Sequence, residues 1–341
     1  RNYEIDWNLL REFAFFNGSD DSNFIGKTEP GFYIIYSILK LLTNDFFLSL
    51  ALLKICFLYS FIKFVKTYTS WWISVVVIMM PISLLFLLID NPLRFMTALI
   101  FVNFGLIYFE KNKPVLGLCL LIVSSTCHNT AIAFLLIPIL IKYAYKICRV
   151  NSILLIISYA IVLFVSSNST IVSSIQKNVV GQIMLYVNAK DYLQYYSVDE
   201  NTTFIIIRNI MKILIYITLI LTKSKSQKSS IRVQQLFGIT IIYFYLEALL
   251  SLMPTGFRLS IPYGYYYGIY ISYLLQNQRQ FGVILCIYLL SLMAKNIYTH
   301  FSYVPYSNSL IHIVLQDYAP YTERSQYNYN SYKDRFGKFP I

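Results

Sequence analysis

The sequence predicts an all-α, polytopic integral membrane protein with about 10 transmembrane or half-membrane helices, and three observations carry that prediction. Apolar runs recur from residue 46 to residue 299, several of them near the roughly 18 residues that span a bilayer core. Only 13% of the 341 residues are charged and 57% are hydrophobic, whereas a soluble domain carries about 25% charged residues. The positive charges sit in short connectors between the apolar runs, as in cytoplasmic loops of membrane proteins. A water-soluble globular protein and a disordered chain are both excluded. Because the runs fill the length, no separate soluble catalytic domain is expected.

Taken in order, residues 1–29 read as an outer N-terminal segment carrying Glu4, Asp6, Glu12, Asp20, Asp21 and Glu29. The chain opens at Arg1 without a methionine, so a further upstream span is expected. Residues 30–43 are short for a crossing and are read as an interfacial or re-entrant helix. The clearest spans are 46–65, 71–89, 93–109, 152–167, 204–222, 233–252, 259–275 and 281–299. Between them lie connectors holding Lys63 and Lys66, Lys111 and Lys113, Lys142, Lys146 and Arg149, Lys223, Lys225, Lys228 and Arg232, and Arg279. These five connectors contain 12 Lys/Arg and one acid, Glu110, which assigns them to the inner side. The remaining polar stretches then fall outside and hold 13 of the 16 acids. The two assignments agree provided that 115–141 enters and leaves on one side. That stretch is interrupted by Ser124-Ser125-Thr126-Cys127-His128-Asn129-Thr130 and is read as two half-length helices meeting at a polar elbow. A non-helical break at membrane depth survives only against protein or a wet cavity, which places His128 facing a cavity. Residues 30–299 thus form one transmembrane domain that includes a long outer loop, 168–203, and residues 300–341 form an outer tail.

The net charge of +12 is explained by membrane sidedness. No basic stripe interleaved with stacking aromatics on a soluble fold is present, so nucleic acid is not an expected partner. The five cysteines, Cys56, Cys119, Cys127, Cys148 and Cys286, lie in or beside apolar runs and form no C-x-x-C pair. They read as small buried hydrophobes. No metal site is predicted, because no second His or carboxylate stands at ligand spacing from His128.

Polar residues near the bilayer are costly and mark pathways or sites. Arg94 follows Asp90-Asn91-Pro92-Leu93, with Asn91 a plausible N-cap and Pro92 suited to the first helical turn. It stands one turn inside the outer face, as a functional cation, a snorkelling arginine or a partner of Asp90. Arg258 follows Pro254-Thr255-Gly256-Phe257 at another outer helix start, where free N–H groups and the helix dipole favour an anion. Two guanidiniums near outer helix starts suit a phosphate or pyrophosphate, which guanidinium binds bidentately. Arg208 shares a helical face with Lys212 and is a weaker third candidate. His128 is one of three histidines, beside His300 and His312. It is either a hydrogen-bonded core residue or a base, since imidazole titrates near neutrality. The loop tyrosines, Tyr192 and Tyr195 among them, offer flat faces and hydroxyls that suit sugars or simply an aromatic belt.

Several of these residues fall in an order that resembles the EpsG/Wzy-type family of bacterial polysaccharide polymerases. The resemblance is carried by Arg1 with Asp6-Trp7, Glu29-Pro30-Gly31-Phe32, Asn91-x-x-Arg94, Cys127-His128-Asn129-Thr130-Ala131, Arg258, and Val304-Pro305-Tyr306. At the elbow Thr130 stands where the family pattern has Ser, and Cys127 where it has an aromatic residue. The resemblance implies a GT-C-like membrane glycosyltransferase at the outer face of the bacterial cytoplasmic membrane. Such enzymes join oligosaccharide repeat units carried on undecaprenyl pyrophosphate, and the carrier bond supplies the energy, so no cofactor is expected. The implied partners are lipid-linked donor and acceptor, membrane lipids and a chain-length regulator. Joined to the residues, it assigns Arg94 and Arg258 to the donor pyrophosphate and His128 to the acceptor hydroxyl. Asp6 and Glu29 are assigned to positioning sugars or the arginines, and with Asn91, Arg208, Tyr192 and Tyr195 to substrate binding. A flippase or transporter of lipid-linked saccharide would show repeated broken helices, of which only one is visible. A membrane O-acyltransferase is the other alternative.

Overall fold

The computed structural model describes residues 29–43, 45–72, 75, 93–167, 202–250 and 257–288. All regular structure among them is helical. The chain divides into two compact units, with residues 1–72, 79–135 and 292–341 in the first and 73–78 with 136–291 in the second. Spans 71–89 and 281–299, the outer loop and the tail lie wholly or partly outside the described residues.

In the first unit, α1 (Pro30–Leu42) begins with proline in its first turn, where the missing N–H costs nothing. Asp45 then accepts the amide of Leu48 at 3.0 Å and starts α2 (Phe46–Tyr68). α2 packs on α3 (Leu93–Glu110), and a polar seam runs between them. Asn103 donates to Ser60 Oγ at 3.0 Å, and Ser60 donates to the Phe57 carbonyl at 2.8 Å. At the basic end of the two helices, Tyr68 donates to Glu110 at 2.6 Å.

The tightest packing joins α3 to α4 (Pro114–Cys127) as an antiparallel hairpin. Its turn uses Asn112 at φ 56°, a left-handed conformation that Asn tolerates better than most residues. Gly105 and Gly117 let the two backbones touch. A Cβ on Gly117 would lie 2.6 Å from the Phe109 ring and 2.9 Å from the Gly105 carbonyl. Because the hairpin is antiparallel, the start of α3 and the end of α4 share one end, opposite Lys111 and Lys113. Arg94 and His128 therefore stand at that shared end.

The chain does break at His128, whose backbone is extended at φ −157° and ψ 125°. The expectation of two half-length helices is corrected on the far side of the break. α4 has 14 residues, but Asn129–Arg149 is a helical stretch of 21, long and apolar enough to cross a membrane. It begins as a 3-10 turn over Asn129–Leu136, which rises about 2.0 Å per residue and reaches further than an α-helix of equal length. The basic residues 142–149, expected in a connector, remain helical, since cations favour the C-terminal turns. Two other helical stretches, Leu48–Tyr68 and Leu93–Glu110, also have the length and hydropathy to cross.

The second unit holds α5 (Ile137–Ala144), α6 (Ser152–Ser167), α7 (Thr202–Leu221), α8 (Lys223–Gln227), α9 (Ile231–Leu250), α10 (Phe257–Asn277) and α11 (Arg279–Tyr288). α9 is its axis and packs on α5, α6 and α10. Gly238 of α9 lies so near the Ala144 carbonyl that any Cβ would overlap it. The core is aromatic, with Tyr159 stacked on Tyr216 at 4.1 Å and Tyr243 on Tyr267 at 5.5 Å. Many tyrosines of the described helices are thus buried packing residues, and some of their hydroxyls find local partners. Tyr245, for example, donates to the Leu155 carbonyl at 3.0 Å.

Candidate functional site

The hairpin end in the first unit collects three of the residues singled out by sequence. Glu29 sits at the N-cap of α1 but makes no capping hydrogen bond with its side chain. Its carboxylate is committed elsewhere. Oε2 accepts from Arg94 at 2.5 Å, and Oε1 lies 2.6 Å from Nδ1 of His128. The amide of Asn129 donates to the same Oε1 at 3.2 Å. Glu29 is 2% exposed and His128 8%, so this pairing is shielded from water.

Local sequence explains why the elbow forms there. Ser124, Ser125 and Thr126 each return a hydroxyl bond to the carbonyl three residues earlier, at 2.6–2.7 Å. Such bonds compete with the helical ladder, and three in succession weaken the last turn of α4. His128 leaves the helix, its amide still reaching the Ser124 carbonyl at 3.1 Å, and its own carbonyl takes the Ala131 amide at 2.9 Å. Gly31 completes the fit, because a Cβ there would overlap the Thr126 side chain and come within 3.0 Å of its backbone. Glycine after Pro30 thus lets α1 reach the elbow and deliver Glu29. Phe95, next to Arg94, meets the His128 ring edge-on at 5.4 Å and fixes its plane.

The electrostatics follow from the geometry. Burial alone would push the Glu29 carboxyl up. The hydrogen bond and charge of His128, the Arg94 charge and the Asn129 amide outweigh that and hold it below the usual carboxylate range. Glu29 precedes α1 and is ionised at neutral pH. An ionised carboxylate only accepts, so Nδ1 of His128 carries a proton. In the neutral imidazole Nε2 is then the lone-pair nitrogen. Among the described residues Nε2 has no hydrogen-bond partner and is buried, and Thr130 Oγ1 on the same elbow is also without one. Among the described residues no group of three His, Cys, Asp or Glu is placed to hold a metal.

The other predicted residues stand apart from this cluster. Asp6, Asn91, Tyr192 and Tyr195 lie outside the described residues. Arg208 is in α7 and Arg258 in α10, both in the second unit, and their side chains are likewise outside what is described. Lys212, which shares a helical face with Arg208, is paired across to Glu247 at 2.8 and 2.9 Å. The link that sequence reasoning missed is Glu29 to His128, across 99 residues. The only signal for it was the unusual placement of an acid directly before Pro30-Gly31.

No curated protein matches this chain, and no solved structure does. The model of the EpsG family matches residues 1–308. With Glu29-Pro30-Gly31, Arg94 and His128 brought to one place within that span, the chain is a member of the EpsG family, whose general role is of the polysaccharide-polymerase type.

Proposed function

We propose that this protein is a membrane glycosyltransferase that polymerises oligosaccharide repeat units linked to undecaprenyl pyrophosphate. The reaction takes place at the outer face of the bacterial cytoplasmic membrane, which the chain crosses several times. Donor and acceptor are both lipid-linked, and a chain-length regulator is a further partner. The observation that supports this reading is the buried Glu29 carboxylate holding an imidazole on one oxygen and a guanidinium on the other.

In this scheme Nε2 of His128 takes the proton of an acceptor sugar hydroxyl while that oxygen bonds to the anomeric carbon of the donor. The bond from that carbon to the pyrophosphate breaks, and its electron pair leaves with the pyrophosphate. Glu29 keeps His128 in the required tautomer and stabilises the imidazolium that forms. Arg94 faces the charge developing on the leaving group. A guanidinium has five N–H donors in a planar fork, and its bond to Glu29 orients that fork. Preorganised donors of this kind are worth about 3–4 kcal/mol of barrier each. Arg258 is proposed as a second phosphate ligand on the strength of the Pro254-Thr255-Gly256 sequence before it. Asp6, Asn91, Arg208, Tyr192 and Tyr195 are proposed to contact the saccharide.

The test supplies lipid-linked repeat units to the purified protein and resolves the product on a ladder gel. A ladder of increasing length is expected. Arg94→Lys and Arg258→Lys each keep the charge but lose the fork, and both should abolish the ladder at unchanged protein level. Movement of labelled lipid-linked sugar across a vesicle without elongation would instead support a flippase.

A further inference from the structure

Two basic connectors of the second unit, far apart in sequence, are joined into one surface. The first runs through Lys142, Lys146 and Arg149, the second through Lys223, Lys225, Lys228 and Arg232. The joints are specific. Lys223, itself buried, donates its amine to the Val150 carbonyl and to Ser152 Oγ at 3.3 Å. Gln227 donates to the Cys148 carbonyl, and the Cys148 thiol lies 3.6 Å from the Gln234 carbonyl. Gln234 in turn ties back to the carbonyls of Gln227 and Ser229, each at 3.1 Å. Beneath them, Tyr270 of α10 bonds Thr222 and Ser226, both at 2.7 Å.

The result is a plate on which Lys142, Lys146, Arg149, Lys225, Lys228 and Arg232 are all exposed. No Asp or Glu occurs between residues 114 and 167 or between 202 and 246 of the sequence. The edge of the plate is apolar, with Ile139, Ile153, Leu221 and Ile231 exposed beside the cations. Tyr143, also exposed, has the Lys146 ammonium 4.8 Å and the Lys142 ammonium 5.8 Å from its ring centre. Cations beside an aromatic ring and branched aliphatic side chains form an amphipathic surface at the end of a helical bundle.

We propose that this plate is a binding site for the headgroup of an anionic phospholipid, with the acyl chains against the aliphatic rim. The phosphate lies among the exposed lysines and arginines, and the headgroup is held at the level where the helices leave the hydrocarbon. A soluble phosphate would satisfy the cations but not the rim. An acidic protein would match the charge but would leave Ile139, Ile153, Leu221 and Ile231 without lipid. Basic clusters at the ends of transmembrane helices attract anionic lipid by about 1 kcal/mol per cation, so a plate of six gives strong selection. Selection by headgroup charge is the property that separates this site from ordinary acyl contact.

The full chain in mixed phosphatidylglycerol and phosphatidylcholine nanodiscs, followed by mass spectrometry of the lipid that co-purifies in mild detergent, tests this. The wild type should retain phosphatidylglycerol over phosphatidylcholine by about tenfold or more, and raised salt should reduce that ratio. Replacing Lys142, Lys146, Arg149, Lys225, Lys228 and Arg232 by Gln should bring the ratio to near one. The parallel replacement of Lys63, Lys66, Lys111 and Lys113, in connectors of the first unit, should lower it far less. An unaltered ratio in the first variant, or an equal loss in both, would overturn the proposal. So would displacement of the lipid by soluble glycerol phosphate, or binding of an acidic polypeptide in its place. If the multiple variant does not fold, a wild-type ratio insensitive to salt overturns it by itself.

Discussion

Glu29 holds two cation-forming partners with one carboxylate, and its chemistry is most exposed to test through that double duty. Glu29→Gln leaves the Arg94 guanidinium and the His128 ring without their charged acceptor. Removing one partner of a buried ionic pair costs about 3 kcal/mol, so thermal unfolding in detergent should fall by several degrees and the polymer ladder should vanish. His128→Ala removes the ring but leaves Glu29 with Arg94, so folding should survive while the ladder is severely reduced; a normal ladder would make His128 a core residue. The acid dependence has a definite sign. The native Glu29 carboxyl titrates below its ordinary value of 4.5, so the folded state favours the ionised form. The stability it contributes is complete above that ordinary value and drains away as pH falls through the lower native one. Unfolding temperature measured downward from neutral pH should show this acid limb in the wild type and a shallower one in Glu29→Gln.

At the scale of elements, the hairpin of α3 and α4 sets the reach of everything at its open end. About 27 Å of α3 and 21 Å of α4, at 1.5 Å per residue, separate Arg94 and His128 from the Lys111–Lys113 turn. A change in how closely these helices pack therefore shifts both residues. Gly117→Ala places a methyl against the Phe109 ring and the Gly105 carbonyl. Overpacking of this kind costs about 1–3 kcal/mol, and a lowered melting temperature with a weaker ladder is the expected outcome. Gly31→Ala acts differently, because it pushes α1 off Thr126 and carries Glu29 with it. It should reduce polymer more than it reduces stability, a split readable from a melting curve and a ladder gel on one preparation.

Across the whole molecule, each unit keeps an ionic link in a helical setting, and the two differ in kind. Glu29 with Arg94 and His128 leaves a buried ring nitrogen unpartnered among the described residues, whereas Lys212 and Glu247 satisfy each other by two hydrogen bonds. The second link is read as a fastener between α7 and α9. Lys212→Met alone should destabilise the protein, and the double change with Glu247→Met should recover most of the loss, since matched hydrophobic replacements of ion pairs are often neutral. A double-mutant cycle of melting temperatures checks this. Failure of the double variant to elongate despite full stability would give the pair a part in the reaction.

The sequence by itself determined the helical membrane architecture, because hydropathy and charge sidedness act along the chain and need no tertiary contact. It also marked Arg94 and His128, since a guanidinium at a helix start and an imidazole in a broken apolar run are locally conspicuous. The lengths of the arms around His128 were not legible, because hydropathy alone does not show that a 3-10 turn carries the helix onward past Asn129. Only the tertiary structure decided that Glu29 ties the two residues together, and that Lys212 answers Glu247. The Glu29 cluster depends on Gly31, Gly105 and Gly117 allowing backbones to approach, and close approach is a property of two segments at once.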